Sequence, residues 1–300
     1  MKRLIITFIL FTTFVFLTTQ ASAMIQDDWL KTVVLIEQEV KNEQGQAQYI
    51  PIGTGFLLQS KEGFFYVVTC RHVVKNKDGS NRQGLYYRLN TKSFIDNPFD
   101  RRPINPLLKD LGVDYFLHPN PAVDLALFPV KVDIKKEEIK FATLSIFEGF
   151  EEIFPGDDIF FIGYPIGTVL SERNEPVVRS GIISRKNTDN TFLIDGASFP
   201  GSSGSPVITK TLPYTYERDK KNFNLTQPKQ ARFIGIISQQ VRYREPAISA
   251  QSGDLRVIFE ENTGLSLVIP ANFIVDILKS GLISSYEAKE RRMHKNEIAR

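Results

Sequence analysis

The chain is short of the residues that most often carry special chemistry. Its 300 residues include a single cysteine, Cys70, so no intramolecular disulfide can form and the fold must rest on its buried core. Cys70 sits in the apolar run FFYVVTC, where a small buried hydrophobe is the expected role. Histidine is almost as scarce. His72, His118 and His294 are the only three, which leaves few choices to any mechanism that needs an imidazole base. An excess of charge of one sign is missing too, and the Lys and Arg residues are interleaved with acids, which excludes a basic face for nucleic acid.

The one long apolar run opens the chain. MKRLIITFILFTTFVFLTTQASA has two basic residues, an apolar and threonine stretch from Leu4 to Leu17, and the small-x-small pattern Ala21-Ser22-Ala23. That run falls short of the roughly 20 residues of a spanning helix, so residues 1–23 are read as a removed signal peptide. Its loss leaves 35 Lys and Arg against 34 Asp and Glu, a charge near zero. The mature protein is expected to be exported, to the periplasm or the medium, with no membrane span.

Beyond the leader, short segments rich in Val, Ile, Phe and Thr recur between Gly, Pro, Asn and Asp. They are TVVLIEQEV, TGFLLQ, FFYVVTC, DLALFPV, DIFFIGYP, PVVRSGIISR, TFLIDG, SPVITK, RFIGIISQQV, LRVIFE and LSLVIP. Such a series predicts an all-β barrel or sandwich rather than βαβ units. Helical spacing appears only near the end, in ANFIVDILK, and Ser284 with Glu287 is expected to cap a second, charged helix. The length suits two all-β domains, with the join placed in KVDIKKEEIK, residues 131–140. The domains are then 24–140 and 141–280, followed by a charged helical tail at 281–300. Lys75 to Pro121 and Thr209 to Ala231 read as surface loops.

Three places could do chemistry. His72 stands at a strand end in VVTCRHVV, where a lone histidine is by default structural. Asp124 opens the apolar strand DLALFPV, either as a turn cap after Pro121 or as the acceptor that orients a histidine ring. FPGSSGSPVI holds Ser202, Ser203 and Ser205 in a tight turn. Glycine at 201 and 204 singles out Ser203, because glycine lets successive N–H groups turn to one side, where the Gly201 and Ser203 amides could hold an oxyanion.

These features occur in the order His, Asp, Ser along an all-β chain, and TCRHVV, DLALFPV and PGSSGSPV resemble the three motifs of trypsin-like (chymotrypsin-fold) serine peptidases. The disulfide-free bacterial branch that includes the HtrA (Deg) peptidases is the nearest likeness. FFIGYP with Gly167, PVVRSGIIS, IDGASFPGSSGSPV, GIISQQ and GLSLVIPANFIVDIL resemble its second-barrel strands and closing helix, so the likeness runs from about Thr32 to Lys279.

The resemblance implies two packed six-stranded β-barrels with a C-terminal α-helix. It implies a serine endopeptidase with His72 as general base, Asp124 as its partner, Ser203 as nucleophile, and the amides of Gly201 and Ser203 as oxyanion hole. Ala197, Ser238, Gln239 and Gln240 would line the substrate site, with Ala197 favouring small or medium apolar side chains. No cofactor or metal is implied, and the partner is a protein or peptide substrate; oligomeric state is not signalled. The departures are Ser205, where the family has glycine, and the tail after Lys279, too short for a PDZ domain. A trypsin-fold binding protein with weak or no turnover is the alternative.

Overall fold

The computed structural model describes residues 27–93, 97–104, 111–165, 175–211, 215–218, 223–226 and 230–298, so the leader and Gly167 lie outside the described residues. After a short helix, α1 (Asp27–Leu30), come β1 (Val33–Lys41), β2 (Ala47–Gln59) and β3 (Phe65–Thr69). A single helical turn, α2 (Arg71–Val74), then precedes β4 (Leu85–Asn90), β5 (Phe99–Pro103), β6 (Phe116–Leu117), β7 (Ala126–Pro129) and β8 (Ala142–Thr143). These strands form one sheet in the order β5-β4-β1-β2-β3-β7-β6, with β8 joining β2 in parallel. Val34, Leu57, Val67, Leu85, Tyr87 and Phe128 pack together as its core.

The second sheet closes into a ring. β9 (Asp158–Gly163), β10 (Val177–Lys186), β11 (Phe192–Asp195), β12 (Pro206–Thr209), β15 (Phe233–Ile248) and β16 (Leu255–Pro270) pair in the order β10-β11-β16-β15-β12-β9, which leaves no unpaired edge. Ile159, Phe161, Ile183, Phe192, Val207 and Val268 fill it. The mostly β architecture, with two antiparallel sheets and helices at the C-terminus, is the chymotrypsin-type fold. Segment 210–231 clusters separately and holds a small hairpin of its own, β13 (Thr215–Arg218) with β14 (Phe223–Thr226).

Three expectations about local structure need correction. Neither expected surface loop is simply a loop: β4, β5 and β6 lie within residues 75–121, and residues 209–231 hold the end of β12 together with β13 and β14. The strand LYYRLN was hidden by its charge: Arg88 is turned inward, where its Nε donates to the buried Glu37 Oε2 at 3.1 Å and its guanidinium lies 4.1 Å from the centre of the Phe99 ring. Arg101 of β5 donates to the same Glu37 oxygen at 2.8 Å. Glu37 is the shared partner, so its loss would be the costly one, leaving both guanidinium groups without that carboxylate.

The second correction concerns LRVIFE and LSLVIP, which form one strand of 16 residues rather than two. Pairing with an equally long β15 resumes on both sides of an irregularity, where the register shifts between Gln240, opposite Ser266, and Arg242, opposite Asn262. The third concerns the last helix. α3 (Ala271–Leu278) is as expected, but α4 (Gly281–Ile298) begins ahead of Ser284, whose hydroxyl donates back to the Ser280 carbonyl at 3.3 Å instead of capping. Glu287 is buried and accepts the Tyr66 hydroxyl at 2.9 Å, which fastens α4 to β3. Among the described residues, no helix is long and apolar enough to cross a membrane.

The seam between the two sheets is partly apolar: Phe56 of β2 and Phe233 of β15 are fully buried with ring centroids 4.7 Å apart. A buried aromatic of this kind contributes about 1.5–3 kcal/mol. The polar part of the seam converges on Thr54 of β2. Its N–H donates to the Ser203 carbonyl at 2.8 Å, and its hydroxyl donates to the Gly201 carbonyl at 2.8 Å while accepting the Tyr164 N–H at 3.0 Å. Its carbonyl accepts the Thr69 hydroxyl at 2.8 Å. Replacement by valine keeps the shape and removes the hydroxyl, leaving the Gly201 carbonyl and the Tyr164 amide without that partner. Thr54→Val is expected to lower unfolding free energy by about 1–3 kcal/mol in urea titrations, whereas an unchanged midpoint would show that these bonds are dispensable.

Candidate active site

His72 reaches the site because α2 is only one turn long. The Val73 and Val74 side chains are buried and anchor that turn, which leaves the His72 ring about half exposed, at 49% of its side-chain surface. Asp124 arrives from the neighbouring strand, in the turn that enters β7, where Ala126 pairs with Thr69 at the end of β3; it is flanked by the buried Val123 and Leu125. Its Oδ1 accepts the backbone N–H of His72 at 2.9 Å and its Oδ2 meets the ring Nδ1 at 2.7 Å. An ionised carboxylate only accepts, so Nδ1 carries the proton and Nε2 presents its lone pair. That lone pair faces Ser203 Oγ at 2.9 Å.

The serine turn explains itself residue by residue. Ser202 N–H donates to the Phe199 carbonyl at 2.9 Å, with Pro200 and Gly201 between them and Gly201 at φ +93°, the arrangement of a type II turn with Pro and Gly in their preferred places. A second turn follows at once: Ser205 N–H donates to the Ser202 carbonyl at 3.0 Å, with Gly204 at φ +90°. A side chain at 204 would put its Cβ 2.0 Å from the Thr54 carbonyl oxygen, so only glycine fits. Among the described residues, the Gly201 and Ser203 amides donate to no protein group.

The three serines have different surroundings. Ser202 Oγ is buried and accepts the Phe199 N–H at 3.3 Å. Ser205 Oγ is also buried, has no hydrogen-bond partner among the described residues, and lies against Gly163 of β9, where a Cβ would come within 1.9 Å of it. The hydroxyl at 205 is thus accommodated by the absence of a side chain at Gly163. Ser203 alone meets the imidazole, with the Ser238 carbonyl as a second acceptor at 3.1 Å.

Ser238 has a larger part than its expected place beside a substrate backbone. Its own hydroxyl donates to Asp124 Oδ2 at 2.7 Å, while Gln239 beyond it is exposed and Gln240 half-buried. Ala197 is half-buried between two fixed neighbours. Gly196 N–H donates to the Gly264 carbonyl at 2.9 Å, Ser198 N–H donates to Ser266 Oγ at 3.1 Å, and Asn262 Nδ2 donates to the Ser198 carbonyl at 2.7 Å. Thr54, Ser198, Asn262 and Ser266 were not singled out from sequence. Each is an ordinary polar residue in a strand or turn whose partner lies far away in the chain.

Burial works to raise the Asp124 carboxyl, but the hydrogen bond and charge of the His72 ring, the Ser238 hydroxyl and the His72 amide outweigh it and hold the group below its ordinary value. Beneath it, Cys70 is fully buried, and burial together with the Asp124 charge pushes its thiol well up. It donates to the Ile237 carbonyl at 3.2 Å. Cys70, His72 and Asp124 place potential metal-ligand atoms within 4.8 Å of one another. A neutral thiol and a carboxylate already shared by His72 and Ser238 make a poor donor set, since thiol ligands bind as thiolates.

The depressed Asp124 group links stability to pH. Its contribution is complete above the ordinary carboxylate range and fades as pH falls through the lower folded value. Thermal melts from about pH 6 to about pH 3 are expected to show a smaller loss of stability for Asp124→Asn than for the parent protein. Parallel losses would mean that this carboxylate gains nothing from its partners.

A family model described as trypsin-like peptidase domain matches residues 53–212, more than half of the chain and all three motifs. No curated protein matches. Among solved structures, the HtrA-type protease AlgW with a decapeptide is similar at 17% identity and a TM-score of 0.42, over 82% of this chain and 61% of that one. The apo MamO protease domain from Magnetospirillum magneticum is similar at 15% identity and a TM-score of 0.46, over 84% of this chain and 98% of that one. A serine endoprotease from Yersinia pestis is similar at 15% identity and a TM-score of 0.42, over 86% and 65%. The chain thus spans less than two thirds of the lengths of the AlgW and Yersinia proteins. On the family match, the chain belongs to the trypsin-like peptidase domain family.

Proposed function

We propose that the protein is a serine endopeptidase that hydrolyses peptide bonds through an acyl-enzyme, with His72, Asp124 and Ser203 as its catalytic residues. The observation that carries this reading is the continuous line from Asp124 Oδ2 to His72 Nδ1 at 2.7 Å and from His72 Nε2 to Ser203 Oγ at 2.9 Å. Asp124 holds the ring in the tautomer whose Nε2 is basic, and it stabilises the imidazolium that forms later.

In the first step Nε2 takes the Ser203 proton as Oγ bonds to the substrate carbonyl carbon, and the carbonyl π electrons move onto oxygen. The Gly201 and Ser203 amides, free of protein acceptors, would receive that oxyanion. One such donor is worth on the order of 100-fold in turnover. Collapse of the tetrahedral species breaks the C–N bond, and the imidazolium gives its proton to the leaving amine. Water, deprotonated by the same Nε2, then releases the acid and restores Ser203.

Ala197 supports a preference for small or medium apolar side chains next to the cleaved bond, and the exposed Gln239 and half-buried Gln240 are the natural partners of a substrate backbone. The leader MKRLIITFILFTTFVFLTTQASA supports export to the periplasm or the medium. A fluorophosphonate probe should label the mature protein stoichiometrically. Ser203→Ala should abolish labelling and lower turnover of an unstructured protein by about 10⁴-fold or more, while Ser202→Ala and Ser205→Ala remain labelled. Labelling that survives Ser203→Ala would refute the assignment, and no labelling of the parent protein would favour the reading as a binding protein of this fold.

A further inference from the structure

A cleft of about 300 Å³ opens beside His72, on the side that Ser203 does not line. Its walls are the α2 end and the loop after it, which supply Arg71, Lys75 and Lys77, and facing residues Leu117 and Pro121. Three cations thus face one small apolar wall. Among the described residues none of the three is paired with a carboxylate. Arg71 donates one guanidinium nitrogen to the His118 carbonyl at 2.8 Å, and Lys75 lies 5.9 Å from the centre of the Tyr115 ring.

The nearby acids are already engaged. Asp124 is shared by His72 and Ser238, and Asp78 in the same loop accepts the Ser80 N–H at 2.9 Å and the Ser80 hydroxyl at 2.6 Å. Asp114 accepts the Asn81 amide. Asp124 lines the cleft as well, but its carboxylate is held by His72 and Ser238, so three cations stand against one engaged acid beside His72.

We infer that this cleft is a specificity site for an acidic side chain, and that the protein selects polypeptides carrying Asp or Glu close to the scissile bond. The inference rests on the reading that a polypeptide lies along Ser203 and His72. The stem of a glutamate would rest on Leu117 and Pro121 while its carboxylate sits between Lys75, Lys77 and Arg71. Partly exposed pairs are individually weak, so the selectivity comes from two or three cations acting on one carboxylate and is screened by salt.

Binding tests this without turnover. Octapeptides of alanine and serine with a neutral fluorophore, one glutamate replacing alanine at each position in turn, are titrated by anisotropy against the mature Ser203→Ala protein. At low salt, glutamate at one position or two adjacent ones should tighten Kd about three- to tenfold over the parent peptide, and about 1 M NaCl should remove the gain. Lys77→Glu, on an exposed side chain, and Lys75→Gln should each reduce the gain, and together abolish it. Equal affinity at every glutamate position, or a gain that survives both substitutions, would overturn the inference. Failure of the peptidase reading is seen separately, as absent probe labelling at Ser203 in the parent protein.

Discussion

Thr54 ties the Ser203 turn to the opposite sheet, and the rest of the site depends on that tie. His72 and Asp124 belong to the first sheet, whereas Ser203 belongs to the approach to β12 in the second ring. Their alignment to within hydrogen-bond distance therefore requires the two sheets to be fixed against each other at the turn itself. Thr54 does this with its amide and its hydroxyl, on the carbonyls of Ser203 and Gly201. Because those carbonyls are held toward β2, the neighbouring amides are left for another acceptor. Gly204 completes the arrangement from the second ring, through its N–H on the Ile237 carbonyl at 2.7 Å.

The electrostatics follow from the same closeness. Asp124 is tolerated in a desolvated place only because three donors converge on it, and that convergence in turn fixes the ring of His72. Cys70 lies underneath as a neutral thiol, which spares the site a second negative charge. The cleft beside the same histidine is lined by Arg71, Lys75 and Lys77 together with Asp124, so an incoming carboxylate would meet three cations and one acid already engaged.

Much of this was legible in the sequence, for physical reasons. His72, Asp124 and Ser203 could be picked out because imidazoles are scarce, the acid opens an apolar strand, and glycines flank one serine of three. Most strands could be read because Val, Ile and Phe fill the cores. β4 and β5 escaped notice because Arg88 and Arg101 look like surface residues until Glu37 is seen buried between them. Thr54 escaped for a related reason: a threonine in a strand is unremarkable until its partners, some 147 residues away at Gly201, are known. Glu287 looked like half of a helix cap, and only the docking of α4 on β3 turns it into a buried acceptor for Tyr66. Ser205 stood out as a departure, but the glycine at 163 that makes room for it could not be paired with it from sequence.

A crystal structure of the mature protein after reaction with a fluorophosphonate would test the account most directly. The account predicts phosphorus bonded to Ser203 Oγ, with the phosphoryl oxygen about 2.7–3.1 Å from both the Gly201 and Ser203 amide nitrogens. An adduct on Ser202 or Ser205, or a phosphoryl oxygen turned away from those two amides, would contradict it.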